Sequence, residues 1–259
     1  MNKTKTFLPI VVFVTIFIFI LLIRQYIYAY FIHNQITSYA THNFVGIAIN
    51  IILIGLSLFF IKKYKLAKEI GLHKYAPNRI GLLVFPLLYL PLVNLVFKDA
   101  TPTNNLILNI PILILYCLSI GFAEELSIRG FLQTFAIKYF GKTKKKVIIM
   151  VLLSSLFFGF LHLLKFNKGL YGELSQVLFA TFIGFLFGIL LLVTKRIYPL
   201  IIIHAIIDFC AKLDTVGIPV KASSTEATSI PSAILGVVIT IPYFIYALIL
   251  IKRNKLLKT

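Results

Sequence analysis

The sequence IGFAEELSIRG at residues 120–130 places three ionisable side chains inside an apolar run that extends from 106 to 137. Glu125 precedes Arg129 by four residues, the spacing at which a helix brings an acid and a base onto one face. Glu124 has no such partner in the neighbouring sequence. Ionisable groups at membrane depth cost at least about 2.5 kcal/mol each, so they usually have a function. The alternative explanation is a charged turn between two membrane helices.

The composition indicates a membrane protein. Of the 259 residues, 59% are hydrophobic and 13% are charged, too few charges to cover a soluble domain of this length. The mean hydropathy is +0.97. We therefore expect an all-α, polytopic transmembrane bundle of about eight spans, forming a single membrane domain over residues 1–259. The predicted spans are 7–31, 44–61, 80–97, 106–137, 147–164, 174–193, 197–213 and 232–251.

The positive charges predict the orientation in the membrane. A net charge of +18 can indicate nucleic-acid binding, but here Lys and Arg lie in short loops between apolar runs, so we expect no nucleic-acid partner. Alternate loops hold 19 and five of these residues, and the 19 are expected on the cytoplasmic side together with both termini. The 19 are Lys3, Lys5, Lys62, Lys63, Lys65, Lys68, Lys74, Arg79, Lys138, Lys142, Lys144, Lys145, Lys146, Lys195, Arg196, Lys252, Arg253, Lys255 and Lys258. The five are Lys98, Lys165, Lys168, Lys212 and Lys221.

Some polar residues have simple structural interpretations. Arg24 precedes three tyrosines and is expected to extend towards the membrane interface, with no site implied. Cys117 and Cys210 both lie in apolar runs and are expected to be small core residues. His42 has no carboxylate or cysteine neighbour, and we assign it no role.

Two further apolar runs carry polar pairs. Phe158 and His162 are four residues apart, and so are His204 and Asp208, so each pair lies on one helical face. Polar groups in a bilayer turn towards one another or a wet cavity, which predicts one interior site shared by three helices.

An antiparallel hairpin centred on residue 143 brings Glu124 and His162 to the same level. That level lies roughly 28 Å from the turn if every residue is α-helical. His204 lies only about eight residues from the basic pair at 195–196. Both turns are expected on the cytoplasmic side. Glu124 and His204 therefore lie at the same depth only if the hairpin projects beyond the bilayer or its helices bend.

These three motifs resemble those of the CPBP family, which includes CAAX proteases, Abi proteins and bacteriocin-processing enzymes. EELSIR at 124–129 resembles Glu-Glu-x-x-x-Arg, FGFLH at 158–162 resembles Phe-x-x-x-His, and HAIID at 204–208 resembles His-x-x-x-Asn/Asp. The resemblance covers about residues 110–212, which are expected to form the catalytic core.

The resemblance implies a membrane-embedded endopeptidase that needs no cofactor. Glu124 is then the general base that activates a water, and His162 positions that water or shares its proton. His204 and Asp208 stabilise the oxyanion, with Asp208 expected to orient His204. Supporting roles fall to Phe158 and to the ion pair between Glu125 and Arg129.

The implied substrate is a peptide precursor or a membrane-associated protein, cleaved at or within the inner face of the cell membrane. Bacterial members of the family process peptides or protect against bacteriocins, which makes a prenylated CAAX protein a less suitable substrate. The oligomeric state is left open by the sequence.

Three alternatives remain at this point. Glu124, His162 and His204 could bind Zn²⁺ and perform the same hydrolysis, although no His-Glu-x-x-His motif is present. The chain could instead be a non-enzymatic bacteriocin-immunity or scaffold protein that binds a partner in the membrane. Intramembrane charge also marks transporters, but no internal repeat is evident in the sequence.

Overall fold

The computed structural model describes residues 3–72, 79–101, 106–221 and 227–253, which form helices joined by turns, without a strand in these ranges. The α-helices are α1 (Lys3–His33), α2 (Tyr39–Lys63), α3 (Val84–Phe97), α4 (Leu106–Glu125), α5 (Thr134–Phe140), α6 (Lys144–Leu161), α7 (Gly169–Thr194), α8 (Tyr198–Ala211) and α9 (Ile230–Arg253). A π-helix, Leu126–Gln133, connects α4 to α5, and 3₁₀ turns occur at Ile80–Leu83, His162–Lys165 and Leu213–Thr215.

The expected polytopic helical bundle is confirmed. Seven helical segments are long and apolar enough to cross a membrane. They are Phe7–His33, Tyr39–Lys63, Ile80–Phe97, Leu106–Phe140, Lys144–Lys165, Gly169–Thr194 and Ile230–Arg253. The remaining predicted run, 197–213, contains the shorter α8, whose 14 residues extend only about 21 Å against a hydrocarbon core of about 30 Å.

Local sequence accounts for several helix boundaries. The hydroxyl of Ser38 accepts a hydrogen bond from the Thr41 N–H at the start of α2, and Thr143 caps α6 in the same way. At the end of α7, Lys195 adopts a left-handed conformation with φ of 56°. These caps fix the turns of the hairpins that position the polar residues.

Helix α7 lies at the centre of the bundle. In the most apolar 18-residue stretch of α7, 78% of the residues are buried inside the protein. The corresponding share is 17–39% in the other six candidate spans. Helix α7 packs against α6 and α9, while α4 packs against α2 and α8. The outer helices therefore direct most of their apolar surface outward, as expected for contact with lipid.

One end of the bundle collects most of the lysines. Three sets of hydrogen bonds join its segments: Lys138 Nζ donates to the Tyr64 and Lys65 carbonyls, the Ile197 N–H donates to the Ile70 carbonyl, and Lys144 Nζ donates to the Ile251 carbonyl. The ring of Phe7 also stacks on that of Phe140. We call this the lysine-rich end; it comprises the start of α1, residues 62–72, 138–146, 195–197 and 251–253. Of the predicted inner charges, Lys74, Lys255 and Lys258 lie outside the described residues.

The other chain turns meet at the opposite, lysine-poor end, which comprises residues 34–38, 162–169, 212–221 and 227–229. The Val220 N–H donates to the Thr37 carbonyl at 2.8 Å, and the Thr228 N–H donates to the Lys168 carbonyl at 2.9 Å. Helix α8 therefore runs from the lysine-rich to the lysine-poor end despite its length. Which end faces the cytoplasm stays a prediction at this point, as does the assignment of residues 110–212 as the catalytic core of a single membrane domain.

Candidate active site

The adjacent glutamates lie in different environments at the junction of α4 and the π-helix. Glu125 is fully buried, and its Oε1 lies 2.7 Å from Nη1 of Arg129, which is 1% exposed. The guanidinium also lies over the rings of Phe158 and Phe187, 4.7 and 5.6 Å from their centroids. Arg129 therefore neutralises Glu125 in a site closed to solvent, where an unpaired charge costs several kcal/mol.

His204 of α8 connects the two glutamates. Its Nδ1 lies 2.7 Å from Oε1 of Glu125, and its Nε2 lies 3.4 Å from Oε2 of Glu124. The Glu125 carboxylate accepts hydrogen bonds, so Nδ1 carries a proton and Nε2 is turned to Glu124. This arrangement fixes the imidazole between a buried carboxylate and an accessible one.

A glycine on α4 permits this contact. A Cβ at Gly121 would lie only 2.6 Å from the Ile201 carbonyl oxygen and 3.4 Å from the Ala205 nitrogen. Gly121 is one turn before Glu125, and Ala205 follows His204. The missing side chain lets the backbones of α4 and α8 approach closely enough for His204 to reach both glutamates.

Glu124 faces a large cavity. Its side chain is 32% exposed, whereas that of Glu125 is 0% exposed. The cavity has a volume of about 1080 Å³, and its wall includes Glu124, His162, His204 and Asp208. A volume of this size slightly exceeds the usual range for ligand pockets, about 300–1,000 Å³. The four predicted catalytic residues thus border one space, although they come from three separate helices.

His162 lies where α6 changes into a 3₁₀ turn. Its Nδ1 is 3.1 Å from the Phe158 carbonyl, and because a carbonyl only accepts, Nδ1 carries the proton. Nε2 is then an acceptor in the neutral ring. The Phe158 ring packs edge-on against both His162 and His204, with centroids 5.3 and 6.3 Å apart. Phe158 therefore contacts both histidines and Arg129.

Asp208 has a different partner from the one expected. The predicted contact with His204 is replaced by an ion pair to Lys212, with Oδ2 and Nζ 3.4 Å apart, while Nδ1 of His204 bonds to Glu125. Burial opposes the charge of Lys212, but the attraction of Asp208 raises the pKa of this lysine above its ordinary value. Asp208 thus lines the cavity as one half of a neutralised pair.

The alternative zinc ligands are not assembled. In the described ranges, no group of three or more His, Cys, Asp or Glu side chains is placed to hold a metal ion. Glu124, His162 and His204 share the cavity wall without forming such a group. The use of no cofactor stays a prediction.

Sequence reasoning missed several residues of the site. Arg24, interpreted as interfacial, lines the cavity and donates to the Tyr116 hydroxyl at 2.6 Å. From the sequence, Lys212 is expected to be only a loop charge. Its position four residues after Asp208 is nevertheless the spacing at which an acid and a base pair on a helix. No sequence pattern predicts the contact of His204 with Glu125, because the two residues are 79 positions apart and lie on different helices.

The comparison with known families agrees with these motifs. Residues 106–210 match the family model described as type II CAAX prenyl endopeptidase Rce1-like. No curated protein and no solved structure matches the chain significantly. The matched segment extends from the first residue of α4 to the penultimate residue of α8 and contains every predicted site residue. Residues 106–210 of this multi-pass membrane protein are therefore similar to the Rce1-like type II CAAX prenyl endopeptidases.

Proposed function

We propose that this protein is an intramembrane endopeptidase of a cell membrane and that Glu124 is its general base. The observation that carries the proposal is the difference between the two glutamates. Glu125 is buried and bonded to Arg129 and His204, whereas Glu124 is exposed to a cavity that can admit both water and a peptide. The Glu124 carboxylate is thus available for chemistry, while that of Glu125 positions Arg129 and His204.

In the proposed reaction, Glu124 takes a proton from a water in the cavity. The resulting hydroxide attacks the carbonyl carbon of the substrate peptide bond. Nε2 of neutral His162 accepts a hydrogen bond from the same water and orients it, since Nδ1 is held by the Phe158 carbonyl. When the C–N bond breaks, Glu124 returns the proton to the leaving nitrogen.

His204 is suited to bind the oxyanion that forms during the attack. Its Nδ1 is bonded to Glu125, and a proton on Nε2 would face Glu124 across 3.4 Å, a long distance for a hydrogen bond. An oxyanion in the cavity can therefore compete for this proton. The pairing of Asp208 with Lys212 removes the repulsion that an isolated carboxylate would exert on the same oxyanion.

The test compares peptides from the membranes and medium of strains expressing the wild-type protein, Glu124→Gln or Glu69→Gln. Glu69 is a matched control because it lies at the lysine-rich end, paired with Lys138 at 3.0 Å and away from the cavity. We expect a cleavage product with the wild type and Glu69→Gln that is missing with Glu124→Gln. A product that persists in Glu124→Gln cells would refute the mechanism. Protection of cells from a bacteriocin by that variant would favour the non-enzymatic alternative.

Metal dependence is tested on the purified protein with the peptide so identified. We expect cleavage to continue after treatment with a chelator, and metal analysis to find less than one zinc per chain. Cleavage that is lost on chelation and restored by Zn²⁺ would favour the zinc-dependent alternative.

A further inference from the structure

The two ends of the bundle differ strongly in charge. Among the described residues, the lysine-rich end as defined above contains 15 Lys and Arg residues, and the lysine-poor end contains four, Lys165, Lys168, Lys212 and Lys221. Positive residues in short loops are retained on the cytoplasmic side of a membrane. The lysine-rich end is therefore the cytoplasmic end, and the lysine-poor end faces outward.

The cavity opens at the lysine-poor end. Its rim includes Lys165, Lys168 and residues 218–221, all of which are exposed except the half-buried Val220. All four basic residues of the lysine-poor end line this cavity, whereas no basic side chain that the structure describes at the lysine-rich end does so. The last turn of the short α8, with Asp208, also borders this cavity.

The path from Glu124 to the lysine-rich end is blocked by a cluster of aromatic rings. Phe131 is fully buried, and its ring centroid lies 4.5 Å from that of Phe13 and 4.9 Å from that of Phe60. Phe135, 1% exposed, continues the cluster and packs on Tyr64 at 5.0 Å. Rings in such contact leave no passage for a peptide from this side.

From these three observations we infer that the active-site cavity is reached from the non-cytoplasmic face of the membrane. The substrate class is then an exported peptide or the outer segment of a membrane protein, not a peptide presented at the inner face as the family resemblance suggested. The statement about substrates rests on the proposed peptidase function. The statement about access rests only on the fold and the charges.

Cysteine accessibility tests this inference without any substrate. Single cysteines replace Gln176 in the cavity wall, Lys221 at its rim, or Lys145, an exposed residue of the lysine-rich end. A small, charged methanethiosulfonate that cannot cross membranes is applied to spheroplasts and to inverted membrane vesicles. The wild-type chain provides the background, because Cys117 and Cys210 are both buried.

We expect Gln176→Cys and Lys221→Cys to react in spheroplasts and to be spared in inverted vesicles, with the reverse pattern for Lys145→Cys. Labelling of Lys145→Cys in spheroplasts would overturn the orientation. A Gln176→Cys that reacts only in inverted vesicles, or from neither side, would overturn the position of the opening. Gln25→Cys, also in the cavity wall, replaces Gln176→Cys if the latter is not folded.

The result is separable from the peptidase proposal. The labelling pattern is expected to be the same in a chain that also carries Glu124→Gln, because access requires no catalysis. Loss of the proposed chemistry would leave the pattern intact, and an inverted pattern would leave the Glu124 experiment unaffected.

Discussion

Replacing Gly121 with alanine should separate α4 from α8. The new Cβ would lie 2.6 Å from the Ile201 carbonyl oxygen, whereas unstrained C···O contacts begin at about 3.3 Å, so the helices must part by roughly 0.7 Å. The 2.7 Å hydrogen bond between His204 and Glu125 would then lengthen to roughly 3.4 Å, beyond the usual range. Overpacking of this kind costs about 1–3 kcal/mol of stability, and a misplacement of about 1 Å in a catalytic site can reduce the rate by roughly 10²-fold.

The assay measures cleavage of the identified peptide by purified wild type, Gly121→Ala and Gly55→Ala, together with thermal unfolding in detergent. Gly55 is the matched control, since a Cβ at this position of α2 meets no atom within 4 Å. We expect Gly55→Ala to retain full activity and to gain up to about 1 kcal/mol from helix propensity. A Gly121→Ala protein as active and as stable as Gly55→Ala would refute the reasoning about close helix approach.

Two further predictions concern the charged pairs. Glu125→Gln removes the carboxylate that neutralises buried Arg129, so it should destabilise the protein by about 3–5 kcal/mol in thermal unfolding. Glu124→Gln should lower the stability much less. Equal losses of stability would contradict the different environments of the two glutamates. Lys212→Met leaves Asp208 charged and unpaired in the cavity, so cleavage should fall roughly fivefold for a lost interaction of about 1 kcal/mol. Adding Asp208→Asn should restore the rate because an amide needs no counter-ion, and a double variant as slow as Lys212→Met would argue against this pairing.

Much of the fold could be predicted because a bilayer imposes a simple rule on the sequence. A helix that crosses lipid needs a long apolar run, and the predicted runs match the seven long helical segments with shifts at their ends. The run from 197 to 213 shows the limit of this rule. Hydropathy cannot distinguish a helix that crosses lipid from a shorter one, such as α8, whose last turn borders a cavity.

The site was predictable in composition but not in its pairing. Four-residue spacings placed Glu125 with Arg129 and located the histidines, because helical geometry is local. Contacts between helices depend on packing, so the bond from His204 to Glu125 and the role of Gly121 required coordinates. The predicted level of Glu124 assumed an uninterrupted α-helix, whereas the eight residues after Glu125 form a wider helix that advances less per residue.

That π-helical stretch also sets the rotational phase of the hairpin. In a π-helix the backbone hydrogen bonds run from i to i+5, so each turn holds about one residue more than in an α-helix. The side chains after Gln133 therefore point in different directions from those that an uninterrupted α-helix would give. Gln133 is thereby directed to the Gly188 carbonyl of α7, 3.1 Å away, while Glu125 still faces α8. A single insertion or deletion between 126 and 133 would turn α5 by about 100° and leave the three motifs unchanged in sequence. In related chains, the number of residues separating Arg129 from Gln133 is therefore as informative as the motifs themselves.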